Sequence, residues 1–162
     1  MDAHGYRYAI PLMGRYTLHP DACPVRFSYV GLDRSTDPPR LVTGEYFSDH
    51  PNGRMVAWEI DPDTGRLNVL NGELRGVDAY VSGQTRMQGG LTLEGDVYIS
   101  SSSQTPSNYG RLYRTHPGME SSISAWPYGC EDLSYESQTG IIWTASEHPG
   151  RREVVGIPLL RP

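Results

Sequence analysis

Two turns in this chain set a carboxylate directly beside an imidazole. One is Ser48-Asp49-His50-Pro51-Asn52-Gly53-Arg54; the other is Ser146-Glu147-His148-Pro149-Gly150-Arg151-Arg152. A weaker echo, Ser103-Gln104-Thr105-Pro106 with Gly110-Arg111 a few residues on, lies between them. Carboxylate oxygens from Asp49 and Glu147 could hold a hard cation such as Ca²⁺. His50 and His148 could bind Zn²⁺ if the fold brought them together. A carboxylate near an imidazole could also serve as general acid and base. Glu131-Asp132 and Gln88 complete the set of candidate groups. Other chemistries lack their motifs. There is no phosphate loop, dinucleotide fingerprint or CxxC pair, so no organic or redox cofactor is expected. The serine run 100–103 has no G-x-S-x-G around it. Asp61-x-Asp63 with Gly65 lacks the rest of a calcium loop and is read as a turn.

The elements that must position these groups are strands. The chain has 162 residues, of which 18 are Gly, 13 Pro and 11 Tyr. Gly and Pro at about a fifth of the chain break helices, while Tyr, Val, Ile and Thr favour strands. No helix-period apolar pattern exceeds two turns. Strand-like runs fall at 6–10, 15–18, 25–32, 41–47, 54–60 and 66–70, with 71–83 as a linker. More follow at 87–93, 96–101, 110–115, 123–126, 132–135, 141–145 and 153–159. Asp61-Pro62-Asp63-Thr64-Gly65 has the chemistry of a tight turn, with Gly65 supplying positive φ. All 14 basic residues are Arg, spread among 19 acids, and the net charge is −5; a nucleic-acid partner held through phosphates is not expected. No run is long enough to span a membrane. Residues 1–5 have neither a basic region nor an apolar stretch, so no signal peptide is expected. Cys23 and Cys130 lack metal-ligand spacing; two buried thiols or one disulfide would satisfy them.

The turns recur. Pro51 to Pro106 is 55 residues and Pro106 to Pro149 is 43. Val97-Tyr98-Ile99-Ser100 aligns with Ile142-Trp143-Thr144-Ala145 at an offset of 45, and Gly53-Arg54-Met55 aligns with Gly110-Arg111-Leu112. A unit of this length with four strands is the mark of a β-propeller blade. The expected fold is therefore all-β and propeller-like: about three four-stranded antiparallel blades plus part of another, in a single partial domain. The approximate units are 1–24 (a partial blade), 25–83, 84–128 and 129–162 (incomplete). Propellers close with four to eight blades, so closure is expected from a homodimer or from a missing N-terminal half.

Cys130-Glu131-Asp132-Leu133-Ser134-Tyr135, Gly140-Ile141-Ile142-Trp143, Ser146-Glu147-His148-Pro149-Gly150 and Ile157-Pro158-Leu159 resemble the C-terminal end of uncharacterised secreted β-propeller proteins of actinomycetes. Met87-Gln88-Gly89-Gly90 and Val97-Tyr98-Ile99-Ser100-Ser101-Ser102 fit the blade before it. The resemblance covers most of the chain and makes it similar to the C-terminal half of such a protein. It implies secretion, although no export signal is expected in this sequence, and it supplies no function residue by residue.

In a propeller the first strand of each blade lines the central channel. The loops between second and third strands open at the end where first strands begin. That gathers Gln88, Glu131, Asp132, Asp49, His50, Glu147 and His148 at one mouth. The plainer reading of the recurring turns is structural: Ser and Asp side chains bond nearby backbone N–H groups, and Pro fixes the turn. A repeated motif serves the repeated structure, so Glu131-Asp132 carries more functional weight than His148. Trp58, Trp126 and Trp143 are read as packing between blades. The functional expectation is a binding module for a small molecule or protein partner at the mouth. The alternative is a small-molecule lyase, cyclase or hydrolase of a biosynthetic pathway using the same acidic and His residues. Neither reading requires a cofactor, with Ca²⁺ or Zn²⁺ left as candidates.

Overall fold

The computed structural model describes residues 27–48, 53–70, 73–74, 76–81, 84–102, 110–115, 122–150 and 152–159. Among these the chain is all-β and holds no helix, so none long and apolar enough to cross a membrane. The first antiparallel meander comprises β1 (Phe27–Asp33), β2 (Arg40–Glu45) and β3 (Arg54–Glu59), with β6 (Gly76–Val81) on its outer side. Between β3 and β6, β4 (Val69–Leu70) and β5 (Glu73–Leu74) form a small hairpin. The second meander is β7 (Met87–Leu93), β8 (Asp96–Ser101), β9 (Gly110–Thr115) and β10 (Ser122–Trp126); the third is β11 (Cys130–Glu136), β12 (Ile141–Ser146) and β13 (Glu153–Pro158).

One strand differs from the sequence reading. The fourth strand of the first meander is β6, inside the stretch taken as a linker, and not 66–70. The Asp61 turn has the expected chemistry: Asp61 Oδ1 accepts the Asp63 and Thr64 N–H groups at 2.9 and 3.3 Å, and Gly65 has φ +66°. Beyond it the ladder continues only as the isolated bridge Ile60–Leu67, and the edge of β3 away from β2 pairs with β6.

The three first strands share one irregularity. In β1 the register against β2 shifts between Phe27 and Tyr29, in β7 against β8 between Met87 and Gly89, and in β11 against β12 between Cys130 and Leu133. Each shift is a β-bulge just after the strand begins. Its surroundings match too. The Ser101 hydroxyl donates to the Thr85 carbonyl at 2.7 Å, and the Ser146 hydroxyl donates to the Tyr128 carbonyl at 3.1 Å. The Ser102 N–H reaches the Arg86 carbonyl, and the Glu147 N–H the Gly129 carbonyl, at 3.3 and 2.9 Å. Arg86 and Gly129, each just ahead of its first strand, both have positive φ (52° and 71°). In the first meander the place of Ser101 and Ser146 is taken by Glu45, a fully buried carboxylate. Arg54 holds it, with Nε at 2.7 Å from Oε2 and Nη2 at 2.7 Å from Oε1.

The first two meanders form one eight-stranded sheet, joined where β1 and β7 meet, and the third is a separate three-stranded sheet; two cores lie among the three meanders. One gathers Tyr29, Val42 and Met55 of the first meander with Met87, Val97 and Ile99 of the second. The other gathers Leu91, Tyr98, Leu112 and Trp126 of the second with Cys130, Leu133 and Ile142 of the third. Val97 and Ile99 thus face one way and Tyr98 the other, which is why β8 is buried almost continuously. In β12 burial alternates, with Ile142, Thr144 and Ser146 buried and Trp143 and Ala145 exposed, as in a sheet covered on one face. Each fully buried Met or Ile side chain contributes roughly 1.5–3 kcal/mol. β1 and β7 touch as parallel neighbours through Asp33–Thr92. Their approach depends on glycine: a Cβ at Gly31 would stand 2.2 Å from the Gly90 carbonyl oxygen.

Candidate functional site

The bulges decide which side chains meet. Registers place Gln88 of β7 and Glu131 of β11 at the same step after strand entry, and Asp132 level with Gly89. Gly89 has no side chain because β11 runs against it. A Cβ there would lie 2.7 Å from the Glu131 carbonyl oxygen and 2.8 Å from the Asp132 Cα. With the backbones this close, the Gln88 amide reaches across and donates to Glu131 Oε1 at 2.7 Å.

The Gln88 amide is itself aimed. The Ser102 hydroxyl lies 2.8 Å from Gln88 Oε1 and 2.9 Å from the Cys130 carbonyl oxygen. The Ser100 hydroxyl also donates to that Cys130 carbonyl, at 2.9 Å. Ser100 can therefore serve the carbonyl while the Ser102 proton goes to Gln88. A donor at Oε1 turns the Gln88 NH₂ toward Glu131. Ser100 and Ser102 thus support the site, a role their sequence did not announce. The available signal was four consecutive serines leaving a strand whose neighbour begins with Cys-Glu-Asp.

Glu131 is held above the usual carboxylate range. Burial is the main cause, and the negative charge of Glu147 adds to it; the Gln88 hydrogen bond pulls the other way. Among the described residues no ion pair joins Glu131 or Glu147 to a cation. A shallow groove lined by Ala145, Ser146, Glu147, Arg152, Glu153 and Val154 continues outward from Glu147.

Glu147 and His148 are placed by the turn after β12. The Ser146 hydroxyl oxygen accepts the His148 N–H at 3.4 Å, as expected for a serine that shapes its own turn. The His148 backbone lies over Gly129, where a Cβ would come within 2.9 Å of the His148 Cβ. Its ring stands edge-on to Tyr128, centroids 4.4 Å apart. His148 Nδ1 is buried with no hydrogen-bond partner among the described residues. No hydrogen bond links this ring to Glu131 or Glu147 among those residues.

Of the seven candidates, then, Gln88, Glu131 and Glu147 form one electrostatic group, with His148 on the adjoining turn. Asp132 is separate: it is exposed, and its Oδ1 accepts the N–H of the next residue, Leu133, at 2.9 Å. Asp49 and His50 lie outside the described residues, as does the Ser103-Gln104-Thr105-Pro106 turn. Among the described residues no three His, Cys, Asp or Glu side chains gather closely enough to hold a metal ion. Cys130 is a free, buried thiol whose pKa burial pushes up to about 11; Cys23 lies outside the described residues. Trp126 packs between the second and third meanders, whereas Trp58 bonds the Thr43 hydroxyl through Nε1 at 2.8 Å and Trp143 remains 37% exposed. No family model matches the chain, and no curated protein matches it either.

Proposed function

We propose that the three meanders are adjoining blades of a β-propeller whose ring is completed by oligomerisation, and that the chain is a binding module. The shared bulge in the three first strands, and the side-by-side placement of those strands, support the blade assignment. The likeness to the C-terminal half of secreted actinomycete propellers points the same way. The ligand is a small molecule or partner side chain that brings a positive group, a protonated amine or guanidinium, to Glu131 and Glu147. One observation carries this. Glu131 is oriented by Gln88 at 2.7 Å, its carboxyl raised first by burial and then by the charge of Glu147, and it has no cation among the described residues. An arriving cation would relieve that repulsion and be met by an acceptor already in position.

Calorimetric titration with agmatine, which carries both an amine and a guanidinium, tests it, with Ca²⁺ as a parallel probe. Saturable agmatine binding is expected, weakened about tenfold in Glu131→Gln, which removes one charge-assisted hydrogen bond, and unchanged in Asp132→Asn. Equal binding by wild type and Glu131→Gln would remove the site. Ca²⁺ binding lost in Glu131→Gln, without agmatine binding, would assign the same carboxylates to a metal.

The raised Glu131 also favours a second reading, a channel-mouth enzyme in which that carboxyl moves a proton. His148 does not contact it, and the ring's packing on Tyr128 suits a structural role, so binding is the better-supported function.

A further inference from the structure

The register of the first meander puts three charges on its core face. Asp33 lies opposite Arg40, and Arg40 opposite Glu59. Directly opposed residues share a face of the sheet. Stepping by two along each strand from these three leads to residues of the core: Tyr29 on β1, Val42 on β2, Ala57 and Met55 on β3. Asp33 is 9% exposed. Its Oδ1 accepts the Ser35 N–H at 2.8 Å and the Ser35 hydroxyl at 2.6 Å, while its Oδ2 accepts no hydrogen bond among the described residues. Arg40 is half-buried, and among the described residues its guanidinium makes neither an ion pair nor a hydrogen bond. Glu59 accepts the Asn68 amide at 3.3 Å instead.

Asp33 and Arg40 both line a cavity of about 130 Å³ beside the core that the first and second meanders share. Its apolar wall is Val42, Met55 and Ala57 from the first meander and Val97 from the second. Thr92 and Gly95, on either side of the β7–β8 turn, complete it next to the Asp33–Thr92 pairing. Val42, Ala57 and Val97 are short and Gly95 has no side chain, so packing leaves space there. A protein cavity of about 150 Å³ can hold benzene, so this one suits a ligand of about six non-hydrogen atoms. It is also apart from the Glu131 site: Thr92 lies four residues beyond Gln88 on β7, roughly 13 Å at about 3.3 Å per residue.

The chemistry of the walls names the ligand class. A guanidinium takes a carboxylate through two parallel N–H bonds, and a carboxylate oxygen takes a protonated amine through a charge-assisted one. Arg40 and Asp33 stand opposite one another without bonding to each other, so each keeps its charge for something between them. A lone anion or a lone cation would answer one charge and leave the other unmatched, and a charge in a partly buried place is costly unless paired. One small molecule with a carboxylate, an ammonium and a short aliphatic group answers both charges and the apolar wall together. Alanine has that size and those three parts.

We propose that this cavity binds a small free α-amino acid, its carboxylate on Arg40, its ammonium on Asp33 Oδ2 and its side chain against Val42 and Val97. Titration of the full chain with L-alanine, followed by amide NMR shifts, tests it; propionate and ethylamine probe the two ends separately. L-Alanine is expected to shift the Arg40, Ala57 and Val97 amides saturably and to leave those of Gln88 and Glu131 in place. Propionate and ethylamine are expected to bind at least about tenfold more weakly, each lacking one charge-assisted contact. Arg40→Met keeps an apolar stem of similar length and is expected to fold and to lose the shifts. Asp33→Asn keeps an oxygen for Ser35 and is expected to weaken binding about tenfold. Ala57→Leu fills the cavity without touching either charge and is expected to abolish binding. No saturable shift with L-alanine would overturn the proposal, as would unchanged binding in Arg40→Met or in Ala57→Leu. Propionate binding as tightly as L-alanine would remove Asp33 from the site and overturn the amino-acid assignment.

Discussion

Glu131 is the residue on which the functional proposal turns, and its protonation is linked to stability. Its folded pKa lies above the unfolded value, so the folded state holds the proton more tightly. Glu131 therefore favours folding most at low pH. That contribution fades as pH rises from the ordinary carboxylate value through the raised one. Glu131→Gln should flatten this part of the stability–pH profile, with the variant gaining relative to wild type on going from pH 4 to pH 7. Paired urea titrations at the two pH values measure it, and an unchanged slope would mean that the carboxyl is not perturbed. Glu131 and Gln88 could be read from the sequence as candidates because they carry chemistry at strand starts. Their contact could not. It depends on a bulge that advances each strand by one residue, and on the hydroxyls of Ser100 and Ser102, which no sequence motif marks.

At the scale of the element, the glycines of β1, β2 and β7 govern how closely sheets approach. Tyr29 lies between Gly44 and Gly90; a Cβ at either position would come within 2.3–2.4 Å of its ring. Gly90→Ala should destabilise the protein by about 1–3 kcal/mol through overpacking. Combined with Tyr29→Leu, it should cost less than the sum of the two single changes, because both act on one contact. Thermal or urea denaturation of the three variants gives the coupling; strict additivity would place the strain elsewhere. Most strands were legible because alternation and turn residues bracket them. β7 and β8 fall on the runs 87–93 and 96–101. β6 was missed although Val77, Ala79, Tyr80 and Val81 are apolar, because the Asp61 turn suggested that the ladder continued directly into 66–70.

At the scale of the molecule, two cores hold the three meanders together, and Cys130 sits inside one of them with no exposed surface. Its thiol, with a pKa of about 11, should resist alkylation in the native protein and react only when the second core opens. Labelling followed by mass spectrometry across a urea series would follow that opening; rapid labelling of Cys130 in buffer would mean that the third sheet detaches by itself. The all-β class was legible from composition, whereas the stacking of sheets was not, because residues that face opposite cores along β8 blur its period. The recurring bulge has one more consequence. Ser28, Gln88 and Glu131 occupy the same register step after strand entry, so the side chain there differs while the bulge recurs. The fold supplies an address and the residue supplies the message: an acid can be installed in, or withdrawn from, any one sheet without redrafting the others.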